Sequence, residues 1–391
     1  MRHLMKPFIV PALIAVLELS SAAIAGAQNE AANALYISAG NISTNISGVY
    51  TYPEPPSSFS PLTAANEELA AYGFPARPDK QADPGHYALW ERAMTAAKHH
   101  WKGELKPLRI NGRASAGPAL EPTEDQLSAA AAAAGPIQAN NFQASGVLLN
   151  NGLTHWSSTT SFDDIWSVIT VPVTQLPFDN TTGCTDGGSE YWSLSLVGID
   201  GYRNGSLFQP EEAVGVLQRV NCPQTFAVNS AVFGWEESFQ TAFSLNPGDQ
   251  FYTEVHAFGG CNNGSAFIED LTTLTYNAYT IANPCSTIQT GRTATWIVYR
   301  PPFGNKARTI GGESPLANTL QISFDGAEVL NGSGAAFYPG SQATSTVVMT
   351  MRDDNNTQPI EVVNQGTAGY QGLHSLWFQT TGCTFAGGCN P

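Results

Sequence analysis

The sequence predicts an all-β protein, an antiparallel β-sandwich of two sheets, preceded by a short helical region. Two observations predict this class. From about residue 140 onwards, short apolar and aromatic runs are broken by Gly, Asn, Asp or Pro every 8 to 15 residues, which is typical of strands joined by turns. Before that point, apolar residues recur at spacings of three and four, as they do on one face of a helix.

Composition divides the 391 residues into four parts. Residues 1–27 are interpreted as a signal peptide, because a basic start and an apolar run lead to small residues of the A-x-A type. Residues 28–110 form a propeptide-like region with helices, 111–138 form an Ala-, Pro- and Gly-rich linker, and 139–391 form the β-sandwich domain.

The propeptide-like region is itself uneven. Residues 28–61 show no sustained periodicity, so we expect them to be extended or disordered. Apolar residues in 62–72 and again in 87–101 predict two helices joined by a Pro-rich turn.

Charge is distributed unevenly along the chain. The formal net charge is −15, and residues 139–391 hold only 7 of the 17 Lys and Arg but 20 of the 32 Asp and Glu. A nucleic-acid partner would need a basic face, which the sequence lacks. A chain with few cations avoids strong self-repulsion in acid, where carboxylates lose their charge. The composition therefore favours a protein adapted to acid.

Cysteine usage indicates the compartment. All six cysteines lie in the second part of the chain, an even number that suggests disulfides in an exported protein: Cys184, Cys222, Cys261, Cys285, Cys383 and Cys389. We expect a secreted protein, extracellular or periplasmic. We also expect a monomer with no membrane contact after removal of the signal peptide.

Motifs for cofactor and metal chemistry are missing from the sequence. It contains no G-x-S-x-G, H-E-x-x-H, Walker A or G-x-G-x-x-G pattern, so we expect no cofactor and no metal. Adjacent carboxylates remain as candidates, at 163–164, 236–237 and 269–270. Neighbours on a strand point to opposite faces, so at most one residue of each pair can enter a shared cleft.

Five short motifs occur in an order that resembles the eqolisin-type glutamic peptidases. That family reads W-V-G-I-D-G, L-Q-x-G, W-Y-E-W, a strand ending in G-D, and A-E-W-I-V-E-R/D. The corresponding segments here are SLVGIDG at 195–201, VLQ at 216–218, FGWE at 233–236, LNPGD at 245–249 and ATWIVYRP at 294–301.

The resemblance implies a concanavalin A-like sandwich, a secreted acid-acting endopeptidase and a polypeptide substrate. In the family a glutamate is the general base and a glutamine amide stabilises the oxyanion. A carboxylate can still act as a base at a pH where histidine is protonated, and a neutral amide donor keeps its proton at any pH. Gln218 corresponds to the oxyanion glutamine, and Asp200 and Glu236 correspond to supporting acids.

The resemblance is incomplete at the catalytic glutamate. Tyr299 occupies that position, Thr295 occupies the position of an earlier glutamate, and Leu196 replaces the usual Trp. Tyrosine ordinarily titrates near pH 10, so it is no general base in acid.

Three functions follow from this pattern. In the first, the chain is an active peptidase with Gln218 as the oxyanion donor and Glu236 as a relocated base. In the second, it is an inactive family member whose groove, lined by Trp235, Trp296 and Tyr299 with Asp200 nearby, binds a peptide or glycan. In the third, it is a lectin-like or glycoside-hydrolase-like sandwich.

The N-terminal helices carry a further expectation. As a propeptide, residues 62–106 would cover the groove until acid protonates the carboxylates that hold them. As a folding aid or a separate adaptor module, they would stay attached.

Overall fold

The computed structural model describes residues 40–109, 137–141, 144–153, 155–176, 190–200, 212–221, 226–235, 238–257, 259, 264–281, 290–300, 316–340, 345–352, 359–364 and 372–377. The signal peptide, most of the linker and all six cysteines lie outside the described residues, as do residues 28–39.

Two helices lie in the N-terminal region, α1 (Asn66–Ala71) and α2 (Pro84–Ala96). Asp83 caps α2, because its Oδ1 accepts a hydrogen bond from the N–H of His86 at 2.9 Å, and Pro84 suits the first helical position. The buried residues of α2 recur one and two turns apart, which gives the helix one apolar face. They are His86, Trp90, Ala93 and Met94.

Twenty strands account for most of the remaining regular structure that is described. In chain order they are β1 (Ile42–Ser43), β2 (Val49–Thr51), β3 (His99–His100), β4 (Lys106–Arg109), β5 (Ile137–Asn141), β6 (Ala144–Asn150), β7 (Phe162–Thr170), β8 (Glu190–Ile199), β9 (Glu212–Asn221), β10 (Ala227–Trp235), β11 (Ser238–Leu245), β12 (Gln250–His256), β13 (Gly264–Asp270), β14 (Thr275–Ile281), β15 (Thr293–Tyr299), β16 (Gln321–Asn331), β17 (Ala336–Phe337), β18 (Ser345–Arg352), β19 (Pro359–Asn364) and β20 (Gly372–Trp377).

The strands form two facing antiparallel sheets. The first sheet has the order β2-β14-β13-β12-β7-β16, and the second has the order β18-β6-β15-β8-β9-β10-β11-β4. At one side the hairpin of β19 and β20 joins them, because β20 pairs with β16 and β19 pairs with β18. The predicted two-sheet β-sandwich is therefore confirmed.

The core lies between the two sheets. Phe233 of the second sheet stacks on Tyr279 of the first, with ring centroids 4.0 Å apart and an interplanar angle of 7°. Trp296 is fully buried, and its indole N–H donates to the carbonyl of Trp166 on the first sheet at 3.2 Å. These contacts fix how the sheets face each other.

The N-terminal region extends and covers the first sheet. Its strands β2 and β3 pair with β14, and β4 pairs with β11 at the edge of the second sheet. The two helices and the chain before them pack against the outer face of the first sheet, in a cluster that includes Trp90, Met94, Trp166 and Tyr276.

In the N-terminal region, the sequence predicted the helices but did not predict where the strands lie. Both predicted helices are present, but the second ends at Ala96 instead of 101, because the chain leaves the helix to pair with β14 through the N–H of His99 and the carbonyl of Leu274, 2.8 Å apart. Residues 40–61, expected to be extended or disordered, contain β1 and β2. β2 pairs with β14, more than 200 residues away, and β1 pairs with β2, so local periodicity does not reveal either strand.

Neither described helix has both the length and the apolar character needed to cross a membrane.

Replacing Phe233 with Ala removes the stack on Tyr279 and leaves a cavity between the sheets. We expect the free energy of unfolding to fall by about 3–5 kcal/mol, measured by urea denaturation. Phe233→Leu keeps most of the volume and should cost much less. A loss below about 1 kcal/mol for Phe233→Ala would contradict this packing.

Candidate functional site

The second sheet has an inner face against the core and an outer face directed away from it. Side chains alternate between the faces along each strand. In β8 and β9 the inner face carries Val197 and Val216, which belong to the core between the sheets. The outer face carries Leu194, Leu196 and Leu217, which form a second apolar cluster.

Gln218 lies on the inner face. Its side chain is fully buried, and Nε2 donates a hydrogen bond to Oγ of Ser195 at 2.8 Å. Oε1 is also buried and accepts no hydrogen bond from the described residues. In register, Gln218 stands between Ser193 of β8 and Asn229 of β10. Its amide therefore points into the protein.

Tyr299 lies on the outer face. It is buried in the apolar cluster of that face and stands opposite Leu194, which in turn stands opposite Leu217. Thr295 lies on the same face, with Oγ1 donating to the carbonyl of Gly198 at 3.2 Å. Both positions that correspond to family glutamates thus share one side of the sheet.

Gln218 and Tyr299 consequently face opposite sides of the second sheet. In that row Leu194 stands between Tyr299 and Leu217, and Leu217 is one position before the glutamine. A one-residue difference in strand register moves a side chain to the other face, and sequence order alone does not fix it.

Asp200 organises the chain that leads into β15. It adopts a left-handed conformation with φ 58. Its carboxylate accepts hydrogen bonds from the backbone N–H groups of Thr290 at 2.6 Å, Gly291 at 2.8 Å and Arg292 at 2.7 Å. Asp200 therefore positions the entry to β15, and its side chain is buried.

The remaining predicted site residues lie in different parts of the chain, and only one of their side chains is described. Trp296 belongs to the core between the sheets, where it cannot touch a ligand on the outer face. Trp235 is the last residue of β10, paired with Glu212 and Ser238, and its side chain lies outside the described residues. Glu236, the candidate base, also lies outside them.

A partly exposed patch on the outer face was missed by the sequence analysis. The Arg219 guanidinium carbon lies 4.9 Å from the ring centroids of both Trp192 and Phe226. Arg219 Nη2 also lies 3.2 Å from Oε1 of Glu190. In register, Arg219 stands between Trp192 and Val228, which is 41% exposed. We call Trp192, Arg219, Phe226 and Val228 the arginine patch.

The arginine patch adjoins Tyr299. Trp192 and Arg219 are two residues from Leu194 and Leu217, so the patch is the next row on the same face, about 7 Å along the strands. Spacing in the sequence could not find it, because strand pairing brings its members together.

A group of buried acids lies on the outer face of the first sheet. Burial raises the pKa of Asp164 to about 7 and the pKa of Glu328 to about 9. Burial also raises the pKa of Glu254 and of Glu269 well above the usual carboxyl range. Glu254, Glu269 and Glu328 therefore favour the protonated form near neutral pH, where Asp164 exchanges its proton.

No group of three or more His, Cys, Asp or Glu among the described residues is arranged to hold a metal ion.

The two helices of the N-terminal region do not cover Tyr299. Its helices pack on the first sheet, whereas Tyr299 and the arginine patch lie on the outer face of the second. The expectation that residues 62–106 cover the groove fails for the helices. Two other parts of the region contact the second sheet: Trp101 packs edge-on against Phe243 of β11, with ring centroids 6.1 Å apart, and β4 pairs with β11 and brings Leu108 against the apolar cluster that contains Tyr299.

Fold and site together define a two-sheet β-sandwich that carries the motif positions of glutamic peptidases on one sheet. The model of the Peptidase A4 family matches residues 150–369, which is more than half of the chain. The chain therefore belongs to the Peptidase A4 family, the eqolisin family of glutamic peptidases. No curated protein matches the chain.

Solved structures of this family resemble the chain. A scytalido-glutamic peptidase with a transition state analog inhibitor has 18% identity and a TM-score of 0.45, covering 61% of this chain and 99% of its own. The eqolisin SCP-B, in a complex with the tripeptide Ala-Ile-His, has 18% identity, a TM-score of 0.43 and the same coverage. Aspergilloglutamic peptidase from Aspergillus niger has 20% identity and a TM-score of 0.38, covering 48% and 99%.

Removing the Asp200 carboxylate should destabilise the entry to β15. For Asp200→Ala we expect a loss of about 2–3 kcal/mol in the free energy of unfolding, because several backbone N–H groups lose a charged acceptor. Asp200→Asn tolerates the left-handed conformation and keeps one acceptor, so it should lose less. Urea denaturation measures both, and equal stability of wild type and Asp200→Ala would contradict this role.

Proposed function

We propose that this chain is an exported, acid-adapted member of the Peptidase A4 family that binds polypeptide. In this proposal the glutamine–glutamate pair of the family does not cleave the bound polypeptide. The observation that carries the proposal is the placement of Gln218 and Tyr299 on opposite faces of the second sheet.

The geometry argues against the family's chemistry in two ways. An oxyanion donor must point its N–H at the developing charge on the substrate, but the Gln218 amide donates to Ser195 inside the protein. A general base must be able to take a proton in acid, and the position of the family's glutamate holds Tyr299, packed among leucines.

Polypeptide binding is supported by the arginine patch. Arg219 lies between two aromatic rings, an arrangement that holds a guanidinium in one orientation. Aromatic residues and Arg are enriched where proteins bind partners. The patch also presents one of the few cations of the second part of the chain, so an acidic side chain or a terminal carboxylate is the ligand group that fits it.

Export and acid adaptation rest on the sequence. The predicted signal peptide, the cysteines and the scarcity of cations in 139–391 support a protein that works outside the cytoplasm at low pH. We also propose that residues 28–110 are a propeptide of the exported protein.

The rival function is an active acid endopeptidase with Glu236 as its base, supported by family membership. Cleavage of reduced and alkylated α-lactalbumin between pH 2 and 7 separates the two. We expect no cleavage by the folded wild type at any pH in this range. Acid-dependent cleavage that disappears in Glu236→Gln, with folding retained, would overturn the proposal and establish the active peptidase.

Binding of the same polypeptide at pH 5 tests the ligand surface. We expect Arg219→Gln and Trp192→Ala to raise the Kd by at least about fivefold each, as removal of central contacts does. Lys102→Gln, at an exposed cation of the N-terminal region, is the matched control and should leave the Kd unchanged. Equal affinity of the wild type and the three variants would show that the arginine patch is not the surface that binds polypeptide.

A further inference from the structure

We propose that the outer face of the first sheet is a proton-dependent docking surface for residues 52–96, which we call the cap. The cap is held in acid and opens as the pH rises through neutral. This inference is independent of whether the second sheet cleaves or only binds polypeptide.

The cap is attached mainly by side-chain packing. Trp90 and Met94 of α2, with Tyr52 and Phe74 before it, pack on the aromatic and aliphatic face of the first sheet. Leu89 approaches the bulge of β16 so closely that a Cβ on Gly326, where φ is 58, would lie 2.9 Å from Leu89 Cδ2. Backbone pairing to β14 lies outside the cap, in β2 and β3. The cap can therefore open while its two ends stay paired.

Carboxyl groups line the surface beneath the cap. Glu254, Glu269 and Glu328 are 5%, 0% and 1% exposed. Glu254 and Glu328 stand on either side of Trp166 in register, and His86 of α2 stacks on that indole with ring centroids 3.4 Å apart. A helix thus seals acids that would be hydrated if it left.

Two acids of this surface are hydrogen-bonded to each other. Asp164 and Glu254 share a side-chain hydrogen bond, and the hydroxyl of Tyr252 donates to Glu254. A hydrogen bond between two carboxyl groups needs a proton on one of them, because two carboxylates are acceptors only. Deprotonating both would place two like charges together in a buried site.

Glu269 is the acid with the fewest hydrogen-bond partners to stabilise a negative charge. It stands in register between Tyr252 and Tyr276, and neither carboxyl oxygen has a hydrogen-bond partner among the described residues. An isolated buried carboxylate is strongly disfavoured, so the side chain is stable there only as the neutral acid. Arg92 of α2 is the cation whose charge acts on it.

Glu328 links the sheet directly to the helix. It shares a side-chain hydrogen bond with Asp83, the residue that caps α2, and another with Tyr338. A proton on the Glu328–Asp83 pair therefore favours the docked position of the helix start, and its loss sets two carboxylates against each other.

Other titratable and charged groups around this surface come from every element packed there. They are Arg77, Asp83, His86 and Arg92 of the cap, Asp163 and Asp164 of β7, Tyr252, Glu254 and His256 of β12, Glu269 and Asp270 of β13, Tyr276 of β14, Glu328 of β16, Tyr338, and Glu54, His100 and Lys102 beside Tyr276.

The sign of the pH effect follows from these acids. Each has a pKa that is higher when docked than when hydrated, so the open state binds fewer protons. Their contribution to docking is full below the ordinary carboxyl pKa of about 4 and falls as the pH rises, through about 7 for Asp164 and about 9 for Glu328. This direction is opposite to release by acid.

His86 acts against the acids below neutral pH. Burial lowers its pKa to about 3, so opening allows it to take up a proton. The contribution of neutral His86 to docking of the cap is complete above its ordinary pKa of about 6.5. This contribution diminishes as the pH falls toward 3. Above pH 6.5 only the carboxyl groups change, so the cap should open most steeply between pH 6.5 and 9.

Hydrogen exchange of the full chain tests the proposal. Protection of the amides of residues 84–96 should fall by at least about tenfold from pH 5 to pH 8, with exchange times scaled to the intrinsic rate at each pH. Amides of residues 293–299, in the second sheet, should keep their protection. The double variant Glu269→Gln with Glu328→Gln carries permanently neutral amides and should lose clearly less protection over this range.

Glu91→Gln is the matched control, because Glu91 lies on the exposed side of α2. It should follow the wild type. The proposal is overturned if protection of 84–96 is the same at pH 5 and pH 8, if the double variant follows the wild type, or if 293–299 loses protection together with the cap.

Discussion

Strand register in the second sheet is the constraint on which the rest of the account depends. Side chains on a strand point alternately to the two faces, so the pairing of β8 with β9 decides what faces the core and what faces outward. With Leu194 opposite Leu217, the outer face is apolar around Tyr299 and the glutamine that follows Leu217 is buried inside. A family motif can thus be retained in sequence while its side chains are separated by a sheet.

The two outer faces of the sandwich have different chemistry. The outer face of the second sheet carries the motif positions of the family and the arginine patch, where a guanidinium between aromatic rings remains partly exposed. The outer face of the first sheet carries acids that are sealed beneath a helix. Few cations and many buried neutral acids both suit a protein that is most stable at low pH.

The sequence predicted the strands well where apolar runs are bounded by turn residues, as in β7, β8 and β15. It also predicted that adjacent acids diverge, and Glu269 indeed faces the cap while Asp270 accepts hydrogen bonds from Thr272 and Thr273. It could not assign faces, because periodicity within one strand leaves the register against its neighbours open. That is why Trp296 was expected in a groove and lies in the core, and why Glu254 and Glu328, isolated in sequence, were not recognised as neighbours.

Interstrand NOEs between Hα protons test the central claim most directly, because they report which residues of β8 and β9 stand opposite each other. We expect contacts that follow the pairing of Leu194 with Leu217 and of Ser193 with Gln218. Contacts shifted by one residue, which would turn Gln218 to the same face as Tyr299, would contradict it and restore the geometry of a catalytic pair.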